Sequence, residues 1–170
     1  TVIRANDGYF YLYATQTSTY WMPIYRSKDL VNWEYQKTAF TQDTKPSLSG
    51  GGAFWAPEMT YINGKYVLYF SWAKMNGADV SYTAVAVSDS PLGPFPNSKA
   101  LITNEEFGSN VIDQFYYEEN GKKYMFFGSF KGIYVTELTD DGLSVKRDVD
   151  GMPVLKKQVC GNAFEGTNIY

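Results

Sequence analysis

The 170-residue sequence contains no histidine and a single cysteine, Cys160. Without histidine the chain cannot build a Ser-His-Asp triad or the common His-containing zinc sites. One cysteine leaves no internal disulfide, and Cys160 reads as a small buried or semi-buried filler side chain. No run approaches the roughly 18 apolar residues that a membrane helix needs, so no membrane insertion is expected. The opening residues TVIRANDGYF lack the basic stretch and apolar run of a signal peptide. A secreted or periplasmic protein whose leader has been removed would read the same way. Long runs of positive charge are absent too. Lys plus Arg total 15 against 18 Asp plus Glu, a net charge of -3, and the basic clusters are short (Lys122-Lys123, Lys156-Lys157). This composition gives no footprint for a nucleic-acid partner. Helical periodicity longer than a turn or two is missing as well.

What the chain has in excess is aromatic side chains: 15 Tyr, 11 Phe and 4 Trp, or 18% of residues. Tyr and Phe favour strands. Exposed rings also offer flat platforms for sugars, whereas buried ones pack between sheets; the composition leaves both readings open.

The aromatics fall in a repeat. DGYFYLYAT (Asp7–Thr15), NGKYVLYFS (Asn63–Ser71) and NGKKYMFFGS (Asn120–Ser129) each open on Asp-Gly or Asn-Gly, a strong hairpin signal. The glycines stand at 8, 64 and 121, a period of about 56 residues. Each hairpin has a strand before it (Thr1–Asn6, Ala56–Ile62, Val111–Glu119) and another after it (Met22–Ser27, Tyr82–Ser88, Gly132–Leu138). The third strand leads through a turn (Lys28–Trp33, Asp89–Phe95, Thr139–Val145) toward an outer strand, and Gln42–Gly52 and Asn97–Asn110 read as loops. Four antiparallel strands at this period make a propeller blade. The expected fold is therefore all-β. Blade one covers about 1–47, blade two about 48–106, blade three about 107–157, and the start of a fourth about 158–170. Three blades lie below the usual four to eight, and an open ring leaves unpaired edges, so a longer domain is expected.

Inner strands of a propeller line a central channel, so acids at their entrances converge from different blades. Glu58, Asp113 and Glu165 recur there at separations of 55 and 52 residues. Grouped carboxylates suit glycosidic hydrolysis: one protonates the leaving oxygen while another activates water or attacks the sugar. Crowding in a low-dielectric cavity raises the pKa of at least one. The same acids would also serve as strand-end caps or acceptors for backbone amides. Phe54 and Trp55 lead into Glu58, and Trp72 closes the next strand; they fit either sugar stacking or inter-blade packing. Packing is the reading for Phe10, Leu12, Val67, Tyr69, Met125 and Phe127, and for Trp33 on the outer strand.

Four segments together resemble the five-bladed catalytic β-propeller of glycoside hydrolase family 43, which includes endo-arabinanases, α-arabinofuranosidases and β-xylosidases. They are DGYFYLYATQ with PIYRSKDLVNW, FWAPEMTYINGKYVLYFS, VIDQFYYEENGKKYMFFGS and FEGTNIY, in the family's order. The resemblance implies an inverting glycosidase with Glu165 as general acid and Asp113 as the carboxylate that orients it and modulates its pKa. The family's general base, an Asp of an Asp-Pro pair just upstream of a segment like TVIRANDG, falls before Thr1. Glu58 stands where many members have Asp and is expected to shape the cavity floor or bind sugar hydroxyls, with Phe54, Trp55 and Trp72 as further substrate-binding candidates. Thr167 replaces a frequent Pro. The implied partner is a carbohydrate: arabinan, arabinoxylan or a xylo-oligosaccharide. GSFKGIYV (Gly128–Val135) favours the arabinanase branch. No cofactor or catalytic metal is required, and a structural Ca²⁺ in the channel of the full domain is compatible with the family. A β-xylosidase or xylan-side-chain arabinofuranosidase, and a non-catalytic glycan-binding propeller, are the alternatives.

Overall fold

A computed structural model of the chain describes residues 1–48, 52–74, 80–108 and 110–169. Blade one holds β1 (Val2–Arg4), β2 (Phe10–Tyr13), β3 (Pro23–Ser27) and β4 (Glu34–Thr38) in that spatial order. Blade two follows with β5 (Ala53–Ile62), β6 (Lys65–Ala73), β7 (Ser81–Ser88) and β8 (Lys99–Thr103). A single helical turn, α1 (Asn104–Phe107), leads to blade three: β9 (Phe115–Glu119), β10 (Lys122–Phe127), β11 (Ile133–Leu138) and β12 (Lys157–Cys160). All neighbouring strands pair antiparallel. The three sheets are propeller blades, and the all-β architecture is the one the repeat implies.

The hairpin glycines do what the spacing requires. Ile62 pairs with Lys65 across Asn63-Gly64, and Glu119 with Lys122 across Asn120-Gly121. Both residues of each turn have positive φ, the two-residue geometry that matches strand twist. In blade one the loop is a residue longer. The Gly8 amide bonds the Ala5 carbonyl at 3.0 Å and Ala5 N–H bonds the Tyr9 carbonyl at 2.8 Å.

Side chains alternate faces along a strand, and this alternation joins the blades. On β6, Leu68 and Phe70 join the core shared with blade one, alongside Tyr11, Tyr13, Ile24 and Phe40. Val67 and Tyr69 join the core shared with blade three, alongside Met125, Phe127 and Leu138. Phe70 and Phe127 are fully buried, and burying a phenylalanine contributes about 1.5–3 kcal/mol. Of the six expected packing side chains, Val67, Tyr69, Met125 and Phe127 are buried, while Phe10 and Leu12 are only half-buried. A tyrosine five residues after the hairpin glycine spans each seam. Tyr13 donates its hydroxyl to the Pro91 carbonyl at 2.6 Å, and Tyr69 donates to the Gly142 carbonyl at 2.9 Å. Phe126 holds that place in blade three and is half-buried.

The outer strand expected in each blade is present, but in blades two and three it lies where the sequence did not place it. β8 lies inside the segment expected to be a loop at Asn97–Asn110, and it pairs with β7. The fourth strand of blade three is β12, which pairs with β11 and carries that blade to Cys160, past the expected boundary near 157. Of the expected loop Gln42–Gly52, residues 49–51 lie outside the described residues. Trp33 sits in the turn before β4, half-buried, and donates its indole N–H to the Leu30 carbonyl at 3.1 Å.

Candidate functional site

Glu58 stands on β5 just after a bulge between Trp55 and Glu58, where the inner strand loses register with β6. Ala56 in the bulge has φ of +43°, an uncommon value for a residue with a Cβ. Glu58 is half-buried. Burial pushes its pKa above the usual carboxylate value. The Tyr116 backbone N–H pulls it back in part.

Asp113 precedes β9 and also has positive φ, +57°. Regular pairing begins only at Phe115, because hydroxyls of blade two hold the backbone before it. The Val111 carbonyl accepts from Thr83 Oγ1 at 2.7 Å, and Asp113 N–H donates to Ser71 Oγ at 3.0 Å. Ser71 and Thr83 are both fully buried. Burial raises the pKa of Asp113, and the negative charge of Glu165 raises it further. The two carboxylates are thus close enough to feel each other.

Glu165 lies against Ser129, just past the end of β10. Its backbone forms an isolated antiparallel bridge with Ser129, and its Oε2 accepts from Ser129 Oγ at 3.0 Å. The bond from Phe130 N–H to the Phe164 carbonyl at 3.0 Å belongs to this bridge. The Glu165 side chain is exposed.

A cleft of about 550 Å³ brings Glu58 and Asp113 together, whereas Glu165 itself does not line it. Thr1 lines it from blade one, Glu58 from blade two, Asp113 and Gln114 from blade three, and Thr167 from the segment just after Glu165. A second hollow of about 540 Å³ lies at the hairpin end of blade one, around Tyr9, Arg26, Lys28 and Trp33. Its acids are already engaged: Asp29 accepts from the N–H groups of Val31 and Asn32, and Glu34 pairs with Arg26 at 3.6 Å. Of these two, the first joins carboxylates from different blades, Glu58 and Asp113, in a solvent-reachable space. Among the described residues no three His, Cys, Asp or Glu side chains gather as a metal site.

The expected ring platforms are placed differently. Phe54 is 2% exposed and packs against Phe40, Phe70 and Trp72 at centroid distances of 5.1, 5.7 and 4.7 Å. Trp72 is 8% exposed in the same core. Neighbouring rings occupy the faces a sugar would need, so both residues cement the seam between blades one and two; this corrects their expected role in substrate binding. Trp55 points to the opposite side of β5 from Phe54 and is half-buried, but does not line the cleft. Gln114, 5% exposed and lining the cleft beside Asp113, is the residue the sequence reading overlooked. Its only sequence signal is a polar side chain directly after a candidate acid at a strand entrance.

The sequence matches Glycosyl hydrolases family 43 over residues 1–170, the entire chain. The chain belongs to this family. It is similar to the extracellular endo-α-(1→5)-L-arabinanase 1 of Bacillus subtilis (strain 168), 29% identical over 148 residues that cover 81% of this chain and 45% of that protein. Among solved structures it resembles a thermostable family-43 glycoside hydrolase at TM-score 0.65 and 30% identity, covering 95% of this chain and 53% of that one. It also resembles the endo-arabinase of Bacteroides thetaiotaomicron VPI-5482 at TM-score 0.68 and 25% identity, covering 91% and 54%. The chain spans about half the length of these relatives, and its three sheets are three blades of the family's five-bladed propeller.

Proposed function

We propose that the whole protein is an inverting glycoside hydrolase acting on pentose polysaccharides, with arabinan or arabino-oligosaccharides preferred. The observation that carries this reading is that Glu58 and Asp113, from successive blades, line one cleft, with Glu165 held by Ser129 next to Gly166 and Thr167 of its wall. Glu165 protonates the leaving oxygen. Asp113 orients that acid and modulates its proton affinity. Glu58 takes sugar hydroxyls at the cleft floor. The base that activates water comes from an Asp upstream of Thr1. Inversion needs acid and base about 6.5–9.5 Å apart, room enough for a water.

Membership of family 43 and the likeness to an arabinanase and an endo-arabinase support the arabinan preference. The Gly128–Val135 turn supports it from the sequence. Secretion to the extracellular or periplasmic space follows from the size of the substrate, and the Bacillus subtilis relative is named as extracellular. The test is product analysis with the full-length protein on linear arabinan, arabinoxylan and aryl pentosides, reading the first-formed anomer by NMR. Arabino-oligosaccharides or arabinose released with inversion are the expected products. Xylose release would replace arabinan by xylan. Binding without any hydrolysis would make the protein a glycan-binding propeller.

A further inference from the structure

We propose that Ser71 and Gln114 are a positioning pair for Asp113, fixing its backbone and strapping it to the blade-two bulge that carries Glu58. The proposal rests on the reading of Asp113 as a member of the acid set.

Ser71 Oγ has one proton and two lone pairs, and the structure accounts for their use. The oxygen accepts from Asp113 N–H at 3.0 Å and donates its proton to Gln114 Oε1 at 2.9 Å. Gln114 Nε2 then donates to the Ala56 carbonyl. The result is a buried chain of hydrogen bonds from the amide of one candidate acid to the bulge two residues before another. Ser71 is fully buried and Gln114 is 5% exposed, so water does not readily replace either partner.

The chain joins two residues in the left-handed region, Asp113 at φ +57° and Ala56 at +43°. Such backbones persist where the surroundings over-determine them. The seam between blades one and two carries a simpler version of the device. Thr15 Oγ1, seven residues after its hairpin glycine as Ser71 is after Gly64, accepts from Ala56 N–H at 3.3 Å. A hydroxyl at this place thus holds the positive-φ residue at the entrance of the next blade. At that seam Gln16 Oε1 also accepts from Phe54 N–H at 3.1 Å, from the blade-one side; at Asp113 the second side chain, Gln114, sits on the entering segment and reaches back to the Ala56 carbonyl. Simple attachment of blade three does not call for that extra link, since Thr83 and Ser81 already engage the backbone at Val111.

The test uses the full-length enzyme and five variants: Ser71→Ala, Ser71→Thr, Gln114→Ala, Thr83→Val and Asp113→Asn. Displacing a catalytic group by about 1 Å can cost about 100-fold in rate, so Ser71→Ala and Gln114→Ala should each lower kcat by about 10- to 100-fold. KM should change little, and their pH–rate profiles should move toward that of Asp113→Asn. Ser71→Thr, which restores the hydroxyl, should recover most of the lost turnover. Thr83→Val removes a hydroxyl from the same cluster without touching Asp113, and should lower Tm while leaving the pH profile in place. If Ser71→Ala does not fold, Gln114→Ala at the cleft wall carries the test. Wild-type kcat and pH profile in Ser71→Ala and Gln114→Ala, beside an impaired Asp113→Asn, would overturn the positioning role alone. An unimpaired Asp113→Asn would overturn the reading of the site and this proposal with it.

Discussion

Asp113 and Glu165 are held by different means. Asp113 is fixed through its backbone, whereas Glu165 is fixed through its carboxylate and its bridge to Ser129. Glu165→Gln keeps the shape and removes the proton that a poor leaving group needs. Turnover of such substrates should fall by about 10²–10⁴-fold, with a much smaller loss for activated aryl glycosides. Parallel kinetics on the two substrate types check this. Asp113 carries a consequence for stability. Its folded-state pKa lies above the ordinary 3.8, through burial first and Glu165 second. The folded state therefore binds the proton more tightly than the unfolded one, and this carboxyl's contribution falls as pH rises through 3.8 and levels off above the folded pKa. Asp113→Asn should accordingly melt higher than the parent near neutral pH, with the advantage vanishing at pH 3, while losing activity. Melting curves across that range decide it. The periodic acids were legible in the sequence because blade repetition alone brings Glu58 and Asp113 to one cleft. Phe54 and Trp72 were not separable from sugar platforms, because a ring's role depends on whether Phe40 and Phe70 already cover it.

At the scale of elements, the inner and middle strands follow from local chemistry. Asn-Gly turns and aromatic alternation are written within each hairpin, which is why β2, β6 and β10 appear in the sequence. β8 and β12 lack such marks. β12 is exposed at every residue, so no alternation betrays it. The bulge before Glu58 and the late start of β9 were equally hidden, because hydroxyls of the preceding blade, not local propensity, shape both. One glycine joins element to site. Gly128 ends β10 at φ +137°, and a Cβ there would overlap the Gly132 carbonyl oxygen. The next residue is Ser129, which holds Glu165. Gly128→Ala should cost about 1–3 kcal/mol. It should also depress turnover by shifting Ser129, with binding of an unreactive oligosaccharide largely kept. Thermal melts and calorimetric titration separate the two effects.

For the whole molecule, the seams matter more than the blades. Each of the two seams joins an apolar core to one tyrosine hydroxyl that reaches a carbonyl in the next blade. Tyr69→Phe removes a buried hydrogen bond and leaves the Gly142 carbonyl without its partner, at a cost of about 1–3 kcal/mol. Hydrogen exchange should then quicken along β10 and β11 more than along β2 and β3; equal change in both blades would mean the seam is not the site of the loss. The alternation on β6 and β10 also has a direction. Leu68 and Phe70 face the blade that precedes theirs in the chain, and so do Met125 and Phe127. During synthesis, which proceeds from the N-terminus, each new blade finds its docking surface already made. The order of translation thus matches the order in which these faces can be covered, and the backward-facing Met125 and Phe127 of an emerging blade three stay exposed until it docks on blade two.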